Sequence, residues 1–488
     1  MKKREGLGNL QDKVSRKERY IFASGDLFGG GAQIIINFYF LIFMTDVVKI
    51  RPALAGIIIL IAQVWDAISD PMMGLISDRT RTRWGRRRPY FLVGFFGILA
   101  AFFMIWYPIS NDSEWVRFFY MLFAYVLYKT VSTIVMVPYS AMSSEVSIDF
   151  KERNLVNGTR LVFSQASSLI CAVVPIEIVK AFPDLRTGYM VMALAFALFF
   201  AIPYLLMFLF TKERVNIENQ VNEKWSLTEF IKPFQVRIFR SLLFIYLFSF
   251  LAMDIVSTIF AYYMNYYLKR PSELNYVLGA LLITQLVCVP LVIKAANRIG
   301  KSGVIKNSVF IWMSAILFMA LIQPNWPSWV IYFTAVYMGL GVAGCVVMPW
   351  IMFPDVTDVG EMAFGKRNAG SFSGIMTLSR KTSAAIGIFI VSVMLEIAGY
   401  IEPITKVENG VTKTFLMDQP DSLILALKII ILVIPFILLG ITYLAAKGYK
   451  LDQKTSEKIT QYLEYKRGNK PENPVSQEEL KDLKKALI

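Results

Sequence analysis

The chain has 488 residues, of which 56% are hydrophobic and 18% are charged, and its formal net charge is +15 at pH 7. This composition is typical of a polytopic membrane protein and excludes an ordinary soluble domain. The positive charge lies at the ends of apolar segments, as the positive-inside rule requires, so we reject nucleic acid as a partner. Histidine is absent and all three cysteines fall inside apolar segments, which argues against an imidazole proton relay, a metal centre and a disulfide framework.

Twelve apolar spans follow in chain order, so we expect an all-α membrane protein with twelve transmembrane helices. They cover residues 20–44, 52–76, 89–109, 115–141, 155–180, 188–211, 238–267, 273–294, 303–322, 328–353, 369–398 and 422–446. The predicted parts are an N-terminal segment (1–19), a six-helix half (20–211), a central loop (212–237), a second six-helix half (238–446) and a tail (447–488). In the tail we predict a short helix from Gln453 to Tyr465 and a capping box that begins at Ser476.

Lysine and arginine are unequal on the two sides of the predicted spans. The loops on one side hold 20 of them and the loops on the other side hold 9. The rich side is cytoplasmic by the positive-inside rule, so we expect a protein of the cell membrane with both termini inside. Met136-Val137-Pro138-Tyr139 and Val347-Met348-Pro349-Trp350 are similar, which indicates a weak repeat of about 210 to 220 residues. Transporters with such repeats bind substrate between the halves.

The second span carries the most informative charges. Asp66 and Asp70 are four residues apart, so both carboxylates lie on one face of the helix. An acid at membrane depth costs a few kcal/mol, and it usually faces a cavity, a partner or an ion. A carboxylate pair suits a proton or a hard monovalent cation, and Ser69 and Thr133 could add hydroxyl oxygens to a sodium site. The loop that follows has six arginines within residues 79–88.

Other charges also fall inside predicted spans. Arg160 needs an anionic partner at its depth, and Asp26 or the span-two acids could supply one. Arginine can also hold a pair of sugar hydroxyls or a carboxylate, so Asp26 and Arg160 are candidates for a substrate site. Asp254 is a further candidate for that site. Lys381, about twelve residues into span eleven, likewise needs an anionic partner. Three other charges are expected to snorkel or to face a helix interface, namely Lys129, Glu396 and Lys428.

Several segments, in order, resemble one family. They are Gly25-Asp26, Phe43-Met44-Thr45-Asp46-Val47-Val48, Trp65-Asp66-Ala67-Ile68-Ser69-Asp70-Pro71, Arg86-Arg87-Arg88-Pro89, Val137-Pro138-Tyr139-Ser140-Ala141-Met142, Glu152-Arg153-Asn154, Arg160, Asp355 to Glu361, Gly365-Lys366-Arg367 and Arg380-Lys381. From about Tyr20 to span twelve, the chain resembles the glycoside–pentoside–hexuronide:cation symporter family. That family is the melibiose permease-like branch of the major facilitator superfamily.

The resemblance implies roles for particular residues. Asp66 and Asp70 match the principal acids of the family's cation site, and Ser69 and Thr133 match positions near the ion. The residues that match the substrate site or lie close to the acids are Asp26, Arg160 and Lys381. The charged cytoplasmic ends that lock the halves in the outward-open state are matched by Arg153, Asp355, Asp358, Glu361 and Arg367. One position departs from the pattern, because Met136 stands where the branch has a sugar-binding aspartate.

The resemblance therefore implies a symporter that takes up a glycoside with sodium or protons and needs no cofactor beyond the coupling ion. Sodium is favoured over protons because no histidine is present to relay them. The expected partners are a small glycoside, the cation and the lipid bilayer, and a monomer is the default state of the fold. Rival readings are a sodium-dependent lysolipid carrier and a non-transporting membrane sensor. An enzyme is least consistent with the sequence, which has no nucleophile–base pair and no phosphate-binding loop.

Overall fold

The computed structural model describes residues 14–146, 150–213, 231–365, 369–408, 411–466 and 475–487. Their architecture is helical, which confirms the expected fold class. In order, the helices are α1 (Arg16–Ser24), α2 (Asp26–Ile35), α3 (Pro52–Arg79), α4 (Arg88–Ile105), α5 (Glu114–Glu145), α6 (Phe150–Lys180), α7 (Leu185–Phe210), α8 (Arg237–Tyr262), α9 (Leu274–Ile299), α10 (Lys301–Leu321), α11 (Ser328–Phe364), α12 (Ala369–Ile397), α13 (Asp421–Gly448), α14 (Gln453–Lys466) and α15 (Gln477–Leu487). An antiparallel hairpin of β1 (Ile404–Glu408) and β2 (Val411–Phe415), which the sequence did not predict, precedes α13.

Among the described residues, eleven helices, α3 to α13, are long and apolar enough to cross a membrane. The first predicted span, 20–44, is built differently. It consists of α1 and α2 followed by two π-helical segments, Ile36–Phe40 and Phe43–Val47. Each of these segments is too short to span a bilayer alone. The first span therefore consists of several short helical segments in succession rather than one regular α-helix.

The end of this first span is repeated later in the chain. Two residues after the π-helical segment Phe43–Val47, Lys49 has a φ of 61°. Two residues after the segment Tyr263–Tyr267, which continues α8, Lys269 has a φ of 55°. The matching backbone hydrogen bonds run from Val48 N to Phe43 O (3.0 Å), from Ile50 N to Met44 O (2.9 Å), from Leu268 N to Tyr263 O (2.9 Å) and from Arg270 N to Met264 O (2.8 Å). A left-handed lysine is uncommon, so its recurrence after 220 residues is a specific structural repeat.

The described residues pack into two compact units. The first unit is formed by the described residues within Met1–Val221, Phe260–Gly279 and Ile388–Ile424. The second is formed by those within Asn222–Ile259, Ala280–Gly387 and Leu425–Ile488. In the first unit α2 packs on α6, α3 on α5 and α4 on α7, and in the second α10 packs on α11. The predicted six-helix halves remain a prediction, and most of the predicted central loop, 214–230, lies outside the described residues.

The tail contains the two features that the sequence predicts. Helix α14 covers the expected segment, and the Ser476 hydroxyl accepts a hydrogen bond from the Glu479 amide at 3.2 Å at the start of α15. Lys458 Nζ lies 2.5 Å from Glu479 Oε1, which joins the two helices.

The close packing of α2 on α6 depends on glycine. A Cβ on Gly30 would lie 2.3 Å from Ser164 Oγ and 2.5 Å from the Ser164 carbonyl oxygen. We therefore expect Gly30→Ala to lower the free energy of unfolding by about 1–3 kcal/mol, because the helices must move apart. Thermal unfolding in detergent measures the loss, and Gly158→Ala in α6, where a Cβ meets no described heavy atom within 4 Å, is the matched control. Equal midpoints for the two variants would contradict this account.

Candidate functional site

The two span-two acids and their predicted hydroxyl partners meet between α3 and α5. Thr133 Oγ1 lies 2.7 Å from Asp70 Oδ1 and 3.2 Å from Asp66 Oδ1. The single hydroxyl hydrogen of Thr133 can therefore be donated to either carboxylate. Ser69 Oγ lies 3.3 Å from Thr133 Oγ1. Asp66, Ser69 and Thr133 are buried and Asp70 is half-buried. Four oxygen-bearing side chains therefore converge at one place, as a cation site requires.

Helical periodicity explains this convergence. Asp66, Ser69 and Asp70 lie three and four residues apart along α3, so they share the face that packs on α5. The residues of α3 on either side of the two acids are mostly apolar, so the site lies within a membrane-spanning helix. Lys129 and Thr133 are likewise four positions apart along α5, so both side chains lie on the face that meets these acids.

Lys129 is the residue of this cluster that the sequence did not assign to it. Its Nζ lies 3.7 Å from Asp66 Oδ2 and 5.7 Å from the centre of the Tyr125 ring. The Lys129 residue is 7% exposed, so the expected snorkelling is wrong and the alternative, a helix interface, is right. Gln63 Nε2 adds a contact of 3.4 Å to Asp66 Oδ2. The ammonium of a lysine therefore lies inside the candidate cation site.

Asp26 and Arg160 form the second predicted cluster. Arg160 Nε donates to Asp26 Oδ2 at 2.8 Å and to the Tyr139 hydroxyl at 3.0 Å, and the guanidinium lies 4.3 Å from the centre of the Tyr139 ring. Arg160 also contacts Asn157 Oδ1 at 3.2 Å. The prediction that an acid on another helix partners Arg160 is thus confirmed, and the acid is Asp26.

Met136 lies beside this pair. A Cβ on Gly29 would be 2.7 Å from Met136 Cε and 3.0 Å from Asp26 Oδ1, so the thioether and the carboxylate border the same glycine. The Tyr204 hydroxyl lies 3.4 Å from Met136 Sδ. Met136 therefore gives this side of the cluster an apolar, polarisable surface.

The second unit contains a similar ion pair, formed by Asp254 of α8 and Arg380 of α12. The guanidinium binds both carboxylate oxygens, at 2.5 Å and 2.8 Å, and it lies 5.0 Å from the centre of the Phe250 ring. Asp254 is 2% exposed. Phe250 precedes Asp254 by four residues, as Phe22 precedes Asp26. The carboxylate predicted to contact substrate is therefore already held by an arginine, while Lys381, the next residue, remains a predicted site residue.

Asp46 is a further buried acid, and the sequence gave it no role. Its Oδ2 accepts a hydrogen bond from the Tyr266 hydroxyl at 2.6 Å, and its Oδ1 accepts from the Thr45 hydroxyl at 2.7 Å and from the Tyr400 hydroxyl. Asp46 and Tyr266 occupy equivalent places in the repeated π-helical endings. This cluster therefore ties three chain segments together at one end of the first unit, and the repeated ending is the signal that could have found it.

The predicted cytoplasmic contacts are described only in part. Asp355 Oδ2 lies 2.5 Å from Lys301 Nζ, a partner that the sequence did not assign. Asp358 and Glu361 lie on α11, which continues to Phe364, beyond the predicted end of that span at residue 353. The side chain of Arg153 and the whole of Arg367 lie outside the described residues. The assignment of these residues to a gate remains a prediction.

Residues 21–453 match the profile of a family described as MFS/sugar transport protein. One relative, the isoprimeverose transporter of Lactiplantibacillus pentosus, is 26% identical over 80% of this chain and 82% of its own length. Another, the sodium-dependent lysophosphatidylcholine symporter 1-A of Danio rerio, is 24% identical over 86% of this chain and 83% of its own length. Among solved structures, the inward-open xylose transporter XylE from E. coli covers 91% of this chain and 98% of its own with a TM-score of 0.61 at 10% identity.

Proposed function

Because the chain belongs to the MFS/sugar transport protein family, we propose that it carries a glycoside across the cell membrane together with a cation. The family and its structural neighbours are transporters and not enzymes. The observation that carries the proposal is the convergence of Asp66, Asp70 and Thr133 within membrane-spanning helices. The coupling ion is sodium or a proton, held at the two carboxylates, and the termini are cytoplasmic.

Coupling follows from charge in this proposal. Two carboxylates close together at membrane depth repel each other, so a bound cation stabilises the arrangement of α3 and α5 that favours glycoside. Linkage requires that glycoside and cation raise each other's affinity by the same factor. The two ligands together then permit the conformational change that exposes the site on the other side.

The Asp46 cluster sets a condition on that change. It lies at the end of the first span away from the N-terminus, which the proposed orientation places outside the cell. The hydroxyls of Tyr266 and Tyr400 must leave the Asp46 carboxylate before this end can open. The hydrogen bonds from Tyr266 and Tyr400 therefore favour the state in which this end of the first unit is held together.

The Asp26–Arg160 pair points to a neutral glycoside rather than a hexuronide. The Arg160 guanidinium is already engaged by the Asp26 carboxylate at 2.8 Å, and both side chains are less than 15% exposed. A uronate would bring a second negative charge next to Asp26 in a poorly solvated place, which costs free energy. Sugar hydroxyls can instead donate to the Asp26 oxygens and accept from Arg160 without adding charge.

A lysolipid is the alternative substrate, and the likeness to the Danio rerio symporter favours it. Such a carrier needs an apolar cleft that opens toward the bilayer, whereas a sugar site needs hydroxyl, amide and charged groups. Asp26, Arg160, Asn157 and the Tyr139 hydroxyl form a polar cluster of the second kind. For this reason we place glycoside first.

Counterflow in proteoliposomes tests the proposal. We expect labelled neutral galactosides or xylosides to exchange into vesicles loaded with the same sugar, and we expect the corresponding glucuronide to exchange at about a tenth of that rate or less. Arg160→Gln should abolish exchange, whereas Lys458→Gln in the tail should leave it unchanged. Faster exchange of the glucuronide would overturn the substrate class. If the protein exchanged lysophosphatidylcholine and none of the sugars, the proposed glycoside transport would be wrong and the lysolipid alternative would take its place.

A further inference from the structure

Lys129 is a buried cation placed where a coupling ion would bind. The side chains of Lys129 and Asp66 are 9% and 6% exposed, and their charged atoms lie 3.7 Å apart. Both belong to helices that are long and apolar enough to span a membrane. A lysine at such a depth requires a nearby negative charge, and Asp66 supplies one in this structure.

The oxygens of Asp66 are already engaged by the protein. Oδ2 faces the Lys129 ammonium and the Gln63 amide nitrogen, and Oδ1 lies 3.2 Å from the Thr133 hydroxyl. A sodium ion at Asp66 would have to displace these donors. It would also lie within a few ångströms of a positive charge in a poorly solvated place, where like charges repel strongly.

We propose that Lys129 is the ion-selecting residue of this site: its ammonium is a tethered cation for Asp66 and makes glycoside binding independent of sodium. The inference rests on the proposed function, because it concerns the ion that accompanies the glycoside. Of the two candidate ions, sodium is the one that the Lys129 ammonium keeps out. A tethered cation also stabilises a negative charge on Asp66 in the membrane without a dissolved ion.

Calorimetry on the purified full-length protein tests this inference through sodium binding alone, before any glycoside is added. We expect the wild type to bind no sodium, when sodium chloride is compared with choline chloride at equal ionic strength. Lys129→Met removes the charge and keeps a similar length, so this variant should bind sodium. Lys129→Arg keeps the charge and should behave as the wild type does. Lys129→Met combined with Asp66→Asn should lose the sodium binding that Lys129→Met gained.

Glycoside binding is then measured on the same four proteins, which are the wild type, the two single variants of Lys129 and the double variant. Sodium should change the wild-type dissociation constant for a neutral glycoside by less than about twofold, and it should tighten binding to Lys129→Met by about tenfold. Thermal unfolding establishes that each variant is folded, and Lys129→Gln replaces Lys129→Met if the latter is not.

The outcomes separate this inference from the proposed function. Sodium binding by the wild type that Asp66→Asn abolishes would overturn the inference, and so would a folded Lys129→Met protein that binds no sodium. If the sodium titrations turn out as expected but no glycoside binds to any of the proteins, the ion-selecting role of Lys129 stands and the glycoside proposal fails.

Discussion

Asp70→Asn is expected to abolish uphill accumulation of glycoside while leaving exchange intact. A membrane potential of about 100 mV supplies about 2.3 kcal/mol for each charge that crosses with the sugar, which sustains roughly a fifty-fold gradient. The wild type in energised proteoliposomes should approach this ratio of internal to external glycoside. The variant should reach a ratio of about one, because no charge then accompanies the sugar.

Asp70 is chosen because its surroundings differ from those of Asp66. The Asp66 carboxylate faces the Lys129 ammonium, whereas Asp70 accepts a hydrogen bond of 2.7 Å from a neutral hydroxyl, that of Thr133. Asp66 is buried and Asp70 is half-buried, so Asp70 is the carboxylate that a mobile cation reaches more easily. Asparagine keeps the size and the hydrogen-bond acceptor but removes the charge. The change therefore tests the charge of Asp70 rather than the packing of α3.

Accumulation and counterflow measured on the same vesicles separate coupling from binding. Asp418→Asn makes the same chemical change at an exposed acid and is the control. An accumulation ratio that is unchanged in Asp70→Asn would show that this acid does not carry the coupling ion. Loss of counterflow as well, in a protein that unfolds at the wild-type temperature, would assign Asp70 to glycoside binding or to the conformational change itself.

Local spacing predicted part of this site from the sequence. Asp66, Ser69 and Asp70 share a face because helical geometry requires it, and this holds whatever α3 packs against. Arg160 could be predicted to have an acidic partner because an unpaired guanidinium at its depth is costly. In both cases the physical rule acts on one helix or on one charge, so no knowledge of the tertiary structure is needed.

Other parts depended on how helices rotate and pair, which sequence spacing does not determine. Lys129 faces Asp66 rather than the membrane surface because of the orientation of α5 against α3. Arg380 is 126 residues from Asp254 along the chain, and no local pattern joins them. The hydroxyls that surround Asp46 come from three separate segments. The predicted preference for sodium rested on the lack of histidine. It did not take into account the positive charge of the Lys129 ammonium beside Asp66.

The Asp254–Arg380 pair yields the largest expected effect on stability. We expect Asp254→Ala to lower the free energy of unfolding by about 3–5 kcal/mol, because it leaves a guanidinium in a mostly buried place without its carboxylate. Thermal and denaturant unfolding in detergent measure this loss. Asp418→Ala, which removes an exposed carboxylate paired with Lys269, should cost less than about 1 kcal/mol and is the control.

A double variant separates a structural role of this pair from a role in glycoside binding. Asp254→Leu with Arg380→Met removes both charges and fills the space with apolar groups, so most of the lost stability should return. If the pair only holds α8 to α12, this variant should bind glycoside within about threefold of the wild type.

The corresponding change at Asp26 and Arg160 should abolish binding, because that pair is joined by the Tyr139 hydroxyl and Asn157 in a polar cluster. Asp254 is instead 2% exposed and is held by the two terminal guanidinium nitrogens of Arg380, so little of its carboxylate is left for a sugar. A folded double variant that binds no glycoside would make Asp254 a substrate residue after all, as its place inside a span suggested.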